Sequence, residues 1–147
     1  MDNLQLAVTE AILDGAAALE FCNAPGHGAA ALFIGRVRDI NQGRSVRAVS
    51  YDLHDVLCRN VFEEIAREAL AEWGEDTRLY LAHRRGRLAV GEASVVAAAS
   101  SRHRDESFKA CRYLVEQMKH RAPIWKQEHY VDGDSEWVKG HALCGHG

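Results

Sequence analysis

The sequence predicts a mixed α/β or α+β fold in which β-strands flank two long helices. In residues 56–73 and 105–121 apolar side chains recur every three to four positions, which is the spacing of amphipathic helices. Around these helices lie short alternating or continuous apolar segments bounded by glycine and polar turns, which are typical of strands. Strands packed against two such helices form a sandwich of a sheet and a helical layer.

The first third of the chain predicts a strand, a short helix and a second strand. Leucine or valine occupies every other position in residues 4–8, and Asp14 is a suitable N-cap for an alanine-rich helix that reaches residue 22. Residues 29–37 are apolar and β-prone enough for a buried strand. Because strand side chains alternate with a period of two, Arg36 and Arg38 at its end share one face.

The middle of the chain predicts a loop, a strand and the first long helix. Residues 39–45 are polar, contain Gly43 and show no periodicity, so we expect a mobile loop there. Residues 46–53 form the next predicted strand, and the helix of residues 56–73 ends at Gly74. The apolar positions of that helix are Leu57, Val61, Ile65, Ala69 and Trp73, with Phe62, Ala66 and Leu70 beside them.

The last part predicts three strands, the second long helix and a hairpin. Strand segments at residues 77–83 and 87–90 surround Gly86, and residues 93–100 form a buried strand. The inward stripe of the helix at residues 105–121 is Phe108, Cys111, Leu114, Val115 and Met118. A terminal hairpin joins residues 124–130 to residues 137–138 through the turn Asp132-Gly133-Asp134.

Length and charge restrict the class of protein. The 147 residues fit one domain, residues 1–147, with a flexible tail from about residue 139. A net charge of −3 gives no general attraction to nucleic acid, and no basic strand with interleaved aromatic residues supports an RNA binder. The chain has no basic leader and no run of eighteen apolar residues, so we expect a soluble, cytoplasmic protein.

The four cysteines, at positions 22, 58, 111 and 144, are scattered without a CxxC pair, which favours a reducing compartment. His141, Cys144 and His146 are possible metal ligands in the tail. A frayed terminus is the simpler interpretation of three ligands on a glycine-ended tail.

Residues 119–126, Lys-His-Arg-Ala-Pro-Ile-Trp-Lys, are the most informative segment for chemistry. Pro123 ends the helix, so Lys119 lies on its last turn and Lys126 on the extended segment beyond. If the two ammonium groups converge, each disfavours the charge of the other, and one of them is available as a neutral amine. The alternative is a solvated helix end, where the helix dipole favours basic residues.

Further cationic residues lie at the ends of predicted elements. Arg38 follows a strand, and His103 and Arg104 lie where a strand runs into the start of a helix, a place that favours anions such as phosphate. Each has a simpler interpretation, with both arginines as surface residues and His103 as a local cap. Trp125 and Phe33 are candidate flat walls for a ring, although such aromatic residues usually belong to the core, which we favour for Phe33.

Two other motifs do not support a function. Residues 26–31 match the letters of a dinucleotide fingerprint, but here a helix precedes the glycines and a strand follows them, the reverse of the required order. Ser100, Ser101, His103 and Asp105 are too close in sequence to converge as a hydrolytic triad, and no nucleophile elbow is present.

Three blocks in order, Gly35-Arg36-Val37-Arg38, His103-Arg104 and Lys119-x-Arg-Ala-Pro-x-Trp-Lys126, resemble the large, catalytic subunit of molybdopterin synthase. The resemblance covers roughly residues 28–138. It implies an α/β hammerhead-like fold with a small antiparallel β subdomain. It further implies a sulfurtransferase of molybdenum cofactor biosynthesis that forms the dithiolene of molybdopterin on cyclic pyranopterin monophosphate, without a metal or organic cofactor.

The resemblance also implies a partner and roles for individual residues. The sulfur donor is a small ubiquitin-like protein that ends in a Gly-Gly thiocarboxylate. Lys119 and Lys126 are the catalytic pair. The implied substrate-binding residues are Arg36, Val37, Arg38, His103, Arg104, Gln127 and Glu128.

The resemblance finally implies a homodimer with one small partner on each copy, a heterotetramer. The apolar segment 93–99 and the stretch around Trp125 and Trp137 suggest an interface, although they are equally able to fill the core of a monomer. Lys139 or His141 is a candidate contribution to the neighbouring subunit's site. Residues 51–55 lack the family's usual glutamate and proline, which leaves the start of the following helix open. The competing hypothesis is a non-enzymatic module that binds a phosphorylated metabolite or a peptide tail.

Overall fold

The computed structural model of the chain describes residues 2–140, which form two sheets and three helices. The strands are β1 Leu4–Thr9, β2 Ala29–Arg36, β3 Ile40–Asn41, β4 Arg44–Leu53, β5 Arg78–Arg84, β6 Gly86–Ala89, β7 Ala93–Ser101, β8 Ile124–Tyr130, β9 Gly133–Asp134 and β10 Val138–Lys139. The helices are α1 Gly15–Phe21, α2 Asp55–Trp73 and α3 Arg104–Arg121. This mixed arrangement confirms the predicted fold class, including a separate small antiparallel sheet.

The four-stranded sheet lies between two helical layers. Its strand order is β1-β5-β7-β2, with β1 parallel to β5 and the other neighbours antiparallel. Because side chains alternate, Leu79 and Leu81 of β5 face the core under α2 and α3, whereas Tyr80 and Ala82 pack with α1 on the other face. Burial on both faces explains why β7 is almost continuously apolar.

The second sheet has six strands, ordered β10-β8-β4-β3, with β6 paired to β4 and β9 paired to β8. Its own small core contains Val46, Val49, Leu88 and Tyr130. The ends of β4 and β8 reach the main core through Leu53 and Ile124. The two sheets therefore meet beside the C-terminal end of α3, and this junction creates the cleft described below.

Three details correct the expectations from sequence. Residues 39–45 contain a tight hairpin, since Gln42 and Gly43 have φ values of 51° and 76° and join β3 to β4 as a two-residue turn. Phe108 is 64% exposed, and the small residues Ser107 and Ala110 take the buried positions of α3 instead. Leu57 is likewise exposed and Cys58 is buried in its place, in a helix that begins at Asp55 with His54 as its N-cap.

The prediction that residues 93–99, which belong to β7, form an interface is also wrong. Val96, Ala97, Ala98 and Ala99 are fully buried within the chain. Trp125 and Trp137 remain about half exposed. No helix within residues 2–140 is long and apolar enough to cross a membrane.

Candidate active site

A cleft of about 330 Å³ opens where the two sheets meet the end of α3. Among the described residues that line it, four carry a positive charge, namely Arg36, Arg38, Lys119 and Lys126. They come from three places in the sequence: the end of β2, the last turn of α3 and β8. The structure thus brings together the two lysines and the two strand-end arginines, and such a group of cations suits an anionic ligand.

Lys126 is held by an ion pair with Glu128. Both residues lie on the same face of β8 because they are two positions apart, and the Nζ and Oε1 atoms are 3.3 Å from each other. The side chain of Lys126 is 25% exposed and that of Glu128 only 8%. Glu128, expected from the resemblance to bind substrate, therefore pairs with one lysine of the cleft and offsets its charge.

Lys119 lies on the last turn of α3, next to the buried Met118. The helix ends because the backbone of Ala122 is extended before Pro123, as the sequence predicts. Arg121 fixes this end to α2, since its guanidinium donates hydrogen bonds of 2.7 and 3.0 Å to the two carboxylate oxygens of Glu68. The exposed Lys119 is thereby carried by a rigid helix end.

The two arginines lie at and just after the end of β2, around a register shift between Gly35 and Arg36. A Cβ atom at Gly35 would come within 2.6 Å of a methyl group of Val95, so only glycine fits on this part of the cleft wall. Val37, between the arginines, has its side chain buried in the small core. Its backbone N–H and C=O are paired with Glu92 and Gly91.

His83, Tyr51 and Phe33 also line the cleft. His83 is 4% exposed, and its ring meets that of Tyr51 edge-on with centroids 5.0 Å apart. Burial lowers the pKa of His83 from 6.5 to about 4, and the charge of Lys119 acts in the same direction, so the imidazole is neutral at physiological pH. Burial raises the pKa of the Tyr51 hydroxyl. Phe33 both packs on the main core and lines the cleft.

His103 and Arg104 lie elsewhere in the chain. They mark the start of α3, fifteen residues before Lys119, which at 1.5 Å per residue places them about 22 Å from it. His103 is the N-cap residue without a capping hydrogen bond from its side chain, and its Nδ1 is 3.5 Å from Glu106. Within one chain these two residues do not join the cleft.

The other expected site residues also differ in their positions. Gln127 is on the face of β8 opposite to Lys126, and its amide donates a hydrogen bond to the Ser135 carbonyl. Lys139 is opposite Trp125 in the pairing of β10 with β8, and the following Gly140 lines the cleft. His141 and the proposed metal ligands of the tail lie outside the described residues.

The cysteines of the described range are not suited to carry sulfur. Cys22, Cys58 and Cys111 are unpaired and buried. Burial raises the pKa of each thiol to about 11, which keeps it protonated and unreactive at neutral pH. None of these three thiols lines the cleft.

Sequence reasoning missed His83 and Tyr51 as cleft residues. The available signal was alternation, because a strand that places Leu79 and Leu81 toward α3 also places His83 on that face. The signal was incomplete, since a histidine on an apolar face is usually a core residue, and nothing in the sequence shows that a second sheet leaves this end of the strand open.

Comparison with known proteins gives consistent matches. The family described as MoaE protein matches residues 8–121. The molybdopterin synthase catalytic subunit of Synechococcus elongatus is 46% identical over 97% of this chain and 87% of its own length. The molybdopterin synthase catalytic subunit of Emericella nidulans is 35% identical over 98% of this chain and 73% of its own length. Molybdopterin synthase from Staphylococcus aureus superposes with a TM-score of 0.83 at 27% identity, covering 94% of this chain and 98% of that one. A chain from a complex of subunits 1 and 2 of molybdopterin-converting factor from Helicobacter pylori, 23% identical, shares the fold with a TM-score of 0.71, over 94% and 90% of the chains.

Proposed function

We propose that this chain, which belongs to the MoaE protein family, is the catalytic subunit of a molybdopterin synthase. In this reaction sulfur passes from the C-terminal thiocarboxylate of a small ubiquitin-like partner to cyclic pyranopterin monophosphate, forming the dithiolene of molybdopterin. A dithiolene contains two sulfur atoms and each thiocarboxylate supplies one, so two partner molecules are used for each product. The protein works without a metal or organic cofactor, in the reducing cytoplasm.

The observation that carries this proposal is the charge of the cleft. Among residues 2–140, four cationic side chains line it, and the carboxylate of Glu128, which pairs with Lys126, is buried. The donor and the acceptor of sulfur are both anions, so they repel each other when they are brought together. At an effective dielectric constant of 20, a cation 4 Å from an anion contributes about 4 kcal/mol of attraction, enough to offset that repulsion.

The two lysines have different surroundings and therefore different roles. Lys126, paired with Glu128, stabilises negative charge as sulfur attacks. Lys119, on the rim of the cleft, guides the thiocarboxylate and transfers protons at the substrate side chain. Arg36 and Arg38 bind the pterin and its phosphate through the planar donor arrangement of their guanidinium groups.

The position of His103 and Arg104 is explained by a homodimer. About 22 Å of helix separates them from Lys119 in their own chain, so they contribute to a cleft only if they come from another copy. We therefore assign them to the substrate site of the neighbouring subunit. The half-exposed Trp125 and Trp137 offer apolar surface for assembly. With one small partner on each copy, the complex is a heterotetramer.

The competing hypothesis of a non-enzymatic binding module gains no support from the comparisons, since relatives that match nearly the whole chain are named as catalytic subunits. The test is reconstitution. The purified chain, a thiocarboxylated small partner and cyclic pyranopterin monophosphate are mixed, and the dithiolene product is quantified after oxidation to a fluorescent pterin. A partner that ends in an ordinary carboxylate is the matched control. Binding of both ligands without any dithiolene would favour the binding module.

A further inference from the structure

His83 is a buried polar residue at the open end of an apolar strand face. It continues the row that Leu79 and Leu81 begin on β5, and it lines the cleft together with Lys119. It is only 4% exposed, so the fold removes it from bulk water. The roles assigned above to the cationic residues make no use of it.

The hydrogen bonds of the ring determine which nitrogen carries the proton. Nδ1 lies 2.9 Å from the backbone oxygen of Arg84, and a carbonyl oxygen only accepts, so Nδ1 is the donor. A neutral ring that is protonated on Nδ1 has a lone pair on Nε2. The edge-on contact with Tyr51 at 5.0 Å restricts rotation of the ring. His83 is therefore a fixed hydrogen-bond acceptor that has no positive charge of its own.

The surroundings of His83 are rich in donors. Lys119 of α3 and Lys126 of β8 line the same cleft, where Lys126 pairs with Glu128, and Tyr51 of β4 packs on the ring. The two arginines that follow β2 line the same cleft. Burial is the main cause of the low pKa of His83, and among these groups the charge of Lys119 lowers it further. A lone pair in this environment attracts an N–H donor, and Lys119 is the donor whose charge the ring experiences.

We propose that His83 is a positioning residue for Lys119, with Nε2 as the acceptor that holds the Lys119 amino group over the cleft during sulfur transfer. This inference rests on the function proposed for the cleft. The hydrogen bond to Nε2 gives the ammonium form of Lys119 one additional partner and directs the ammonium group toward the bound anions. A single hydrogen bond to a charged group corresponds to a change of about ten- to hundredfold in rate.

The first experiment measures the Lys119 amino group without substrate or partner. Trace acetylation with isotopically labelled acetic anhydride at pH 7.5, followed by peptide mass spectrometry, gives the reactivity of each lysine. Lys109, exposed on the same helix and paired with Asp105, is the internal reference. In His83→Phe the ring shape remains but the acceptor is lost, so we expect Lys119 to be acetylated several-fold faster relative to Lys109.

Two amide variants form a matched pair. The side chain of His83→Gln reaches the position of Nε2, whereas that of His83→Asn reaches only the position of Nδ1. We expect wild-type reactivity in the glutamine variant and increased reactivity in the asparagine variant. This pair decides the question even if His83→Phe does not fold. Equal reactivity of Lys119 in wild type, His83→Gln and His83→Asn overturns the proposal.

Turnover provides the second readout. We expect kcat for dithiolene formation to fall about tenfold in His83→Asn with KM nearly unchanged, and to be restored in His83→Gln. A purely structural role would instead lower the melting temperature and kcat together in both variants, which would also overturn the proposal. If the wild-type chain makes no dithiolene, the proposed function fails, while the acetylation result still tests the contact between His83 and Lys119.

Discussion

Replacing Lys126 with methionine leaves the buried carboxylate of Glu128 without its partner. At 3.3 Å and an effective dielectric constant of 20, the attraction between the two charges is about 5 kcal/mol. Because a quarter of the Lys126 side chain is exposed, water recovers part of this attraction, and we expect a net loss of about 3 kcal/mol in the free energy of unfolding. For a chain of this size that corresponds to a fall of about 9 °C in Tm.

Calorimetry and urea unfolding measure this loss, and two further variants serve as controls. Lys119→Met removes the other lysine of the cleft from an exposed helix end, and we expect its free energy of unfolding to change by less than about 0.5 kcal/mol. The double variant Lys126→Met with Glu128→Gln removes both charges, and we expect it to regain at least half of the lost stability.

Both lysine variants are expected to lose sulfur transfer, so stability and activity separate the two roles. Equal stability of the Lys126→Met and Lys119→Met variants, or no recovery in the double variant, would refute the conclusion that Glu128 neutralises Lys126 specifically.

Four further expectations concern activity, pH and assembly. Lys119→Ala should abolish sulfur transfer with an unchanged Tm, since the residue contributes charge and little packing; normal dithiolene formation would contradict its role. Arg38→Ala and Arg104→Ala should weaken use of the pyranopterin about ten- to hundredfold, while the affinity for the partner measured by calorimetry changes little. An equal loss of partner affinity would argue against the assignment of these arginines to the pyranopterin. Because burial depresses the pKa of His83 to about 4 in the folded chain, its contribution of about 3 kcal/mol is complete above pH 6.5 and is lost as the pH falls toward 4. His83→Gln should lack this pH dependence in urea unfolding, and identical slopes for the two proteins would be inconsistent with a buried neutral ring. Light scattering should give about twice 16.3 kDa for the chain alone, whereas a monomer that persists with partner present would exclude a shared site.

The local pattern of the sequence was sufficient to locate the segment that supplies both lysines of the cleft. Pro123 ends α3 where expected, and the period of two places Lys126 and Glu128 on one face of β8. The spacing of Arg36 and Arg38 likewise placed both at the end of a strand that reaches the cleft. In each case the side chain's direction follows from backbone geometry within a few residues.

Long-range packing accounts for what the sequence did not predict. The predicted apolar stripe of α3 included Phe108, which is exposed, whereas the neighbouring Ser107 is buried. The small side chains of Ser107 and Ala110 allow the helix to approach the sheet closely. The hairpin at Gln42 and Gly43 depends on a positive φ at a residue other than glycine, which composition does not reveal. The separation of His103 from Lys119 follows from the length of α3, although the resemblance implied that His103 binds the substrate on which Lys119 acts.

The most direct test of the central claim is the yield of dithiolene from the purified chain, cyclic pyranopterin monophosphate and a thiocarboxylated small partner. Two equivalents of thiocarboxylate should be consumed for each dithiolene formed, and the Lys119→Ala chain should form none. Dithiolene formation at the same rate with Lys119→Ala, or none with the wild-type chain under conditions in which both ligands bind, would contradict the assignment of this cleft to sulfur transfer.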